Sequence, residues 1–440
     1  MSRRPAISAV HISKLRSGAR VVVQTDKMLP IVEFCLAFDV GSHADPPGFD
    51  GLANLCAQSI RKGPEGMSAI AFGERLESLG AQLGVQVNAR TTRFRLSVLR
   101  RNVDAAIDLL TEALQSPAVR PSDLSKLKRR LCANIASSID DDQWIGLQQF
   151  MSTLYGAHPY ARTVTGSVQS VRRIKQQTVL AFIRRHYSQS RLVFGAAGDI
   201  DHDEALALAR RVSEGLPSRK IQTPKIPAVP AIKGRRVVIV DKADRTQTQL
   251  FIGGLGSRTR DRDLFALRVS NTAFGGSFSG RLMQAVRAER GWSYGAYSHL
   301  LHGEERAPWY MSTAPGIADT VDCIDLQLAM AEEWVQKGIT QQELNASKQH
   351  LIESRVLDYD TALHQLGAQM DVALSILPES QVVDFESKTR AVTRKDANHA
   401  THSRIDPKGL VIVAVASADA LLPRLEKLPG IASIEVATVA

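Results

Sequence analysis

Residues 274–297 read FGGSFSGRLMQAVRAERGWSYGAY. Gly275, Gly276 and Gly280 predict a loop; residues 281–289 follow with Leu282, Val286 and Glu289 at helical spacing, and Gly291 stands where such a helix stops. Tyr294 and Tyr297 then open an aromatic-rich strand. Loop, helix, turn and strand in that order direct Arg287, near the helix end, and Tyr294, on the strand, toward one cleft. A cationic fork beside a phenolic donor suits a peptide carbonyl or a developing oxyanion. The plain alternative is a solvated helix arginine and a packed strand aromatic. Arg290 and Tyr297 have the same separation of seven.

Outward from this stretch the chain repeats itself. RRVVIVDK at 235 answers RVVVQTD at 20, and TQLFIGGLGS at 248 answers VEFCLAFDVGS at 32. ITQQELNASKQHLIES at 339 answers VRPSDLSKLKRRLCAN at 119, and GLVIVAVASAD at 409 answers RLVFGAAGDID at 191. Two copies of one unit, 1–216 and 234–440, are joined by a linker at 217–233 that carries Pro217, Pro224, Pro227 and Pro230. Each copy mixes strand runs with long helices, which predicts an α+β fold of two homologous halves, with mixed sheets and helices packed on one face. In the first half, 20–26 and 31–41 read as a hairpin and 51–62 as a helix. Another helix runs through Asn134, capped by Ser122 or Asp123.

Composition excludes several classes of function. Hydrophobic residues make up 44% and charged residues 23% of 440 residues, and no apolar run approaches the roughly 20 residues a membrane span needs. The net charge of +10 is spread over helices, as at Lys126, Lys128, Arg129 and Arg130, without interleaved aromatics. That pattern reads as a solvated face and not as a nucleic-acid surface. Cys35, Cys56, Cys132 and Cys323 lie in apolar segments with no C-x-x-C spacing and are expected as buried free thiols. The N-terminus has no apolar core of signal-peptide length, which predicts a cytoplasmic protein, or a periplasmic one if Met1 follows a removed signal.

The duplicated halves, GSHADPPGFDGLANL at 41–55 and the Gly-rich stretch with VRAERGWSY resemble the pitrilysin or insulinase-type zinc metallopeptidases, the inverzincins, over nearly the whole chain. Active members carry H-x-x-E-H on a helix, two histidine ligands one turn apart with a glutamate base, and a downstream glutamate ligand. Here Asn54 and Gln58 occupy the histidine positions, Ala57 that of the base, and Asn134, 76 positions after Gln58, that of the third ligand. Neutral amides are poor zinc ligands and alanine moves no proton, so no metal and no cofactor are expected in this chain. The H-x-x-H pairs His299/His302 and His399/His402 lack a matching carboxylate set and are expected to be structural or surface residues.

The second half of the family's active site is retained in sequence. The resemblance implies that Arg287 and Tyr294 are the arginine and tyrosine that bind substrate opposite the zinc, and that GGSFSG is similar to the glycine-rich loop of the non-catalytic subunit of the mitochondrial processing peptidase. It implies a non-catalytic, substrate-binding subunit of a heterodimeric zinc metalloendopeptidase. A homologous partner chain brings H-x-x-E-H and the zinc, and peptides are the substrates. Two rivals stand beside it: an inactive structural core subunit, and a peptide-binding protein of the same fold.

Overall fold

The computed structural model describes residues 10–219 and 226–438. Compactness divides the chain into two units, neither contiguous: Met1–Ser137 with Arg162–Lys225 and Val356–Val383, and Ser138–Ala161 with Ile226–Arg355 and Asp384–Ala440.

The first unit is built on β1 (Ser13–Lys14), β2 (Arg20–Thr25), β3 (Ile31–Phe38), β4 (Gln82–Val87), β5 (Thr92–Leu99) and β6 (Leu192–Gly198), ordered β1-β2-β6-β3-β5-β4. β2 pairs β6 in parallel, and β6 pairs β3 antiparallel. The expected hairpin of β2 and β3 is therefore not formed, because β6 lies between them. β6 is buried along almost its whole length, as a central strand with a continuous apolar run should be.

Strand alternation sorts the side chains of β3. Phe34, Leu36 and Phe38 face a core shared with the helices Leu52–Ile60, Val103–Gln115 and Gln176–His186. Cys35 and Ala37 face the other way, with Val22, Val193 and Ala197, against Leu366, Met370 and Ala373 of the helix Ala362–Ala373. That helix comes from the C-terminal half of the sequence. Its close approach needs a bare backbone: a Cβ on Gly195 would lie 2.6 Å from Met370 Sδ. Met370→Ala is expected to lower unfolding stability by about 2–5 kcal/mol, read as a shift in the denaturant midpoint, through lost transfer energy plus a cavity.

The second unit contains β7 (Arg235–Asp241), β8 (Gln249–Leu255), β9 (Ser257–Arg258), β10 (Ala296–Leu300), β11 (His302–Gly303), β12 (Pro308–Thr313), β13 (Val411–Ala416) and β14 (Ile431–Thr438). Its large sheet runs β14-β7-β13-β8-β12-β10, and β9 pairs β11 separately. β7 and β13 are parallel, and β13 and β8 antiparallel, repeating β2, β6 and β3. The strands matched in sequence thus hold the same places in both sheets, and the two halves are homologous. One face carries the helices Leu264–Asn271, Thr320–Lys337 and Arg394–Arg404. The other receives Ile145, Phe150 and Leu154 of Asp142–Tyr155, a helix from the N-terminal half.

The sequence repeat and the compact units therefore differ, because each half contributes one helix to the second face of the other half's sheet. A fully buried strand such as β13 needs both faces covered. Of the linker at 217–233, residues 220–225 lie outside the described residues. Past them, Val229 and Ile232 pack on the β7–β8–β13 core, and Pro227 O is 2.9 Å from His158 Nε2. The helix through Asn134 begins at Pro121, so Ser122 and Asp123 sit in its first turn and do not cap it; Asp123 instead pairs with Arg120. Three cysteines are buried and Cys132 is half-buried; all four are free thiols. Among the described residues no helix is long and apolar enough to cross a membrane.

Candidate functional site

The stretch 274–297 is built on a buried aromatic base. Phe274 stacks on Trp334 with centroids 4.4 Å apart, and Trp309 lies 6.0 Å from the same ring. Gly275 and Gly276 are not loop residues, because they complete a π-helical turn, Thr272–Gly276, that extends the helix Leu264–Asn271. A Cβ on Gly275 would lie 2.9 Å from Ser298 Cβ, so the glycine allows the turn to touch β10. Asn271 locks this contact: its Oδ1 accepts from Trp309 Nε1 at 2.9 Å and from Ser298 Oγ at 2.5 Å.

The expected helix at 281–289 is present, with a widened end. It starts as Arg281–Met283 and continues as a π-helical turn, Gln284–Ala288, in which Glu289 N–H donates to Gln284 O at 3.0 Å. Such insertions recur at functional sites. Leu282, Met283 and Val286 are buried, and Arg281 is clamped by Glu343 and donates to Gly338 O at 3.0 Å. Gly291 reverses the chain at φ +66°, a conformation glycine reaches without a Cβ clash. Tyr294 lies in a bend ahead of β10 and not on the strand, since pairing begins at Ala296. The bend is fixed by buried Ser293, whose Oγ donates to Gly295 O at 2.6 Å and accepts from Ala314 N–H at 2.9 Å.

This scaffold brings Arg287 and Tyr294 together. Arg287 Cζ sits 4.6 Å from the centroid of the Tyr294 ring and 5.2 Å from that of Phe278. The guanidinium thus rests against aromatic surface, and among the described residues it has no carboxylate partner. Tyr294 is 87% exposed and Phe278 62%, so these rings face outward, and among the described residues the polar groups of Arg287 and Tyr294 are uncommitted. Arg290, by contrast, pairs with Glu289 at 3.0 Å and donates to Ala285 O, and Tyr297 belongs to β10. Phe278 was not singled out in the sequence. An aromatic ringed by glycine and serine, FGGSFSG, was the signal, since an apolar side chain in a small-residue loop has no core to enter.

The four positions read from the sequence as a degenerate zinc motif lie in the first unit. Leu52–Ile60 is a helix opened by Gly51, and it carries Asn54 and Gln58 half-buried one turn apart, with Ala57 buried beside them. Asn134 is exposed near the end of Pro121–Ser137. Positions 54 and 58 have the i, i+4 spacing of a ligand pair on one helix face, and neither carries an imidazole. Two amides, a methyl group and a third amide offer neither imidazole nor carboxylate, so these residues do not fit zinc. Among the described residues no cluster of three or more His, Cys, Asp or Glu is placed to hold a metal. Of the H-x-x-H pairs, His299 contacts Ser312 Oγ at 3.0 Å and stacks on Tyr310.

The helix is held at its start by Asp45, which accepts from the N–H groups of Gly51 at 2.9 Å and Ala53 at 2.8 Å. Burial pushes this carboxyl up from its ordinary 3.8 to about 7, despite those donors. A folded value above the unfolded one gives stability that is complete below about pH 4 and is lost as pH rises through about 7. Asp45→Asn keeps an acceptor oxygen and removes the ionisation. Its urea midpoint relative to wild type is expected to move in the variant's favour between about pH 5 and about pH 8. Parallel midpoints across that window would show that Asp45 does not ionise at a cost.

Residues 20–167 match the model of the family described as Insulinase (Peptidase family M16), and residues 173–351 match that of the Peptidase M16 inactive domain. The chain is 24% identical to the non-peptidase homolog YmxG of Helicobacter pylori, covering 91% of this chain and 92% of that one. It is 28% identical to an uncharacterized zinc protease of Mycobacterium leprae, over 80% of each. The fold is similar to the crystal structure of a peptidase M16 inactive domain from Pseudomonas fluorescens, with TM-score 0.85 and 25% identity, covering 93% of this chain and 98% of that one. A protease structure from Helicobacter pylori shares the fold at TM-score 0.80 and 17% identity, covering 92% and 99%. With consecutive domains of one family matched from residue 20 to residue 351 and the inactive-domain fold repeated in the structure, the chain belongs to peptidase family M16, the insulinase family.

Proposed function

We propose that this chain is the non-catalytic, substrate-binding subunit of a two-chain zinc peptidase. The observation that carries the reading is a contrast within one chain. Half-buried Arg287 and exposed Tyr294 are held together without polar partners among the described residues, while Asn54, Ala57, Gln58 and Asn134 offer none of the donors that zinc and water activation require. A homologous sister chain then supplies H-x-x-E-H, its zinc and the general base. In this reading the Tyr294 hydroxyl donates a hydrogen bond to the oxyanion that forms on the scissile carbonyl, and Arg287 holds a neighbouring carbonyl of the peptide. The rings of Tyr294 and Phe278 fix the guanidinium without neutralising it, which leaves its donors for substrate.

The test is reconstitution with an M16 chain of the same organism that retains H-x-x-E-H. Peptide cleavage by the mixture, absent from this chain alone and co-eluting with a two-chain complex, is the expected result. Failure of the two chains to associate, or equal cleavage by the partner alone, would sink the proposal. The name of the Helicobacter pylori relative, a non-peptidase homolog, also supports a second reading, an inactive peptide-binding protein of the same fold. Peptide binding without any partner-dependent turnover would favour it.

A further inference from the structure

A second candidate site stands in the first unit, on side chains that the peptidase reading does not use. Between Asp142 and Asp199 the sequence contains no aspartate or glutamate and seven lysines or arginines, and residues 124–139 are likewise free of acids. The fold lines one cleft of about 710 Å³ with parts of both segments: Leu124, Lys128 and Arg129 from the helix Pro121–Ser137, Arg172 from the end of the helix Val168–Arg173, and Ile174 and Lys175 from the link to Gln176–His186. Among the described residues no carboxylate lines it.

Lys128 has a structural task, since its Nζ donates to Arg172 O at 2.8 Å and Ile174 O at 2.7 Å and so closes the end of the helix Val168–Arg173. Arg129, Arg172 and Lys175 do not share it. Among the described residues Arg129 reaches only Ser125 Oγ, and none of the three has a carboxylate partner. Elsewhere in the same unit arginines find acids, as Arg90 does with Asp39, Arg100 with Glu204 and Arg211 with Asp104. Like charges gathered on one cleft without counter-charge repel one another, and a multivalent anion removes that cost. Two guanidinium forks suit phosphate oxygens, and a single carboxylate is too small to engage all three cations. Leu124 and Ile174 add an apolar floor, and the volume is that of a small-molecule site.

We propose that this cleft binds a phosphate-bearing small molecule through Arg129, Arg172 and Lys175, independently of the peptidase reading. The phosphates lie across the cationic rim, and any organic body rests on Leu124 and Ile174.

The test titrates the full chain with ATP in EDTA and, separately, with inorganic tripolyphosphate, by calorimetry. Saturable one-to-one binding is expected. The double variant R172Q/K175Q should weaken it by roughly tenfold or more, while R184Q/R185Q, which removes two exposed arginines outside the cleft lining, stays within about twofold. Unchanged thermal midpoints in both variants exclude unfolding as the cause. Tighter binding of ATP assigns the site to an organic phosphate, and equal affinities assign it to the phosphate chain itself. Absence of saturation with both probes, or an equal loss from R184Q/R185Q, overturns the proposal. So does single-stranded RNA that binds far more tightly than ATP and needs both pairs, because the cations would then form a nucleic-acid surface.

Discussion

Tyr294→Phe in the reconstituted two-chain complex is expected to lower peptide turnover on the order of 100-fold or more while assembly stays intact. The bend that carries the residue is fixed by Ser293 and the strand that follows, and Tyr294 itself is 87% exposed, so loss of its hydroxyl leaves no buried group unsatisfied. A donor aimed at a developing oxyanion acts mainly in the transition state. The loss should therefore fall on kcat, with KM little changed. On the proposed function, Arg287→Ala also removes contacts with bound peptide, and should raise KM besides lowering kcat. Arg287→Lys keeps the charge and loses the fork, and is expected to lie between. Size-exclusion profiles run beside the kinetics separate chemistry from assembly. Wild-type kinetics from both Tyr294→Phe and Arg287→Ala would reduce the pair to surface packing and favour a structural subunit.

Purified chain should contain far less than one zinc per molecule and should cleave no peptide, because Asn54, Gln58 and Asn134 are amides and Ala57 has no proton to move. The variant N54H/A57E/Q58H/N134E is expected to take up one zinc, since positions 54 and 58 share a face of the helix Leu52–Ile60. Metal analysis after dialysis against a weak chelator reads both results, in effect a shift from nearly empty to nearly stoichiometric. One tightly held zinc in the wild type, lost on Asn54→Ala or Gln58→Ala, would overturn the proposal that this chain is the non-catalytic partner.

The sequence alone determined what depends on local spacing and on repetition. Strand runs that recur 200 or so residues apart gave two homologous sheets, and each matched pair holds the same place in both. Helix periodicity put Asn54 and Gln58 one turn apart, and Gly291 marked the reversal that returns Tyr294 toward Arg287. Tertiary structure decided what depends on partners far along the chain. β6 enters between β2 and β3 because a strand apolar along its whole length is most stable where both edges and both faces are covered, and no local pattern names its neighbours. The exchanged helices Asp142–Tyr155 and Ala362–Ala373 follow from the same requirement, since each sheet has a second apolar face and the helix that covers it comes from the other half. The wide turns at Thr272–Gly276 and Gln284–Ala288, and the rings of Phe278 and Tyr294 against Arg287, arise only once Phe274, Trp309 and Trp334 have packed beneath them, because side-chain packing and not sequence spacing fixes where a guanidinium comes to rest.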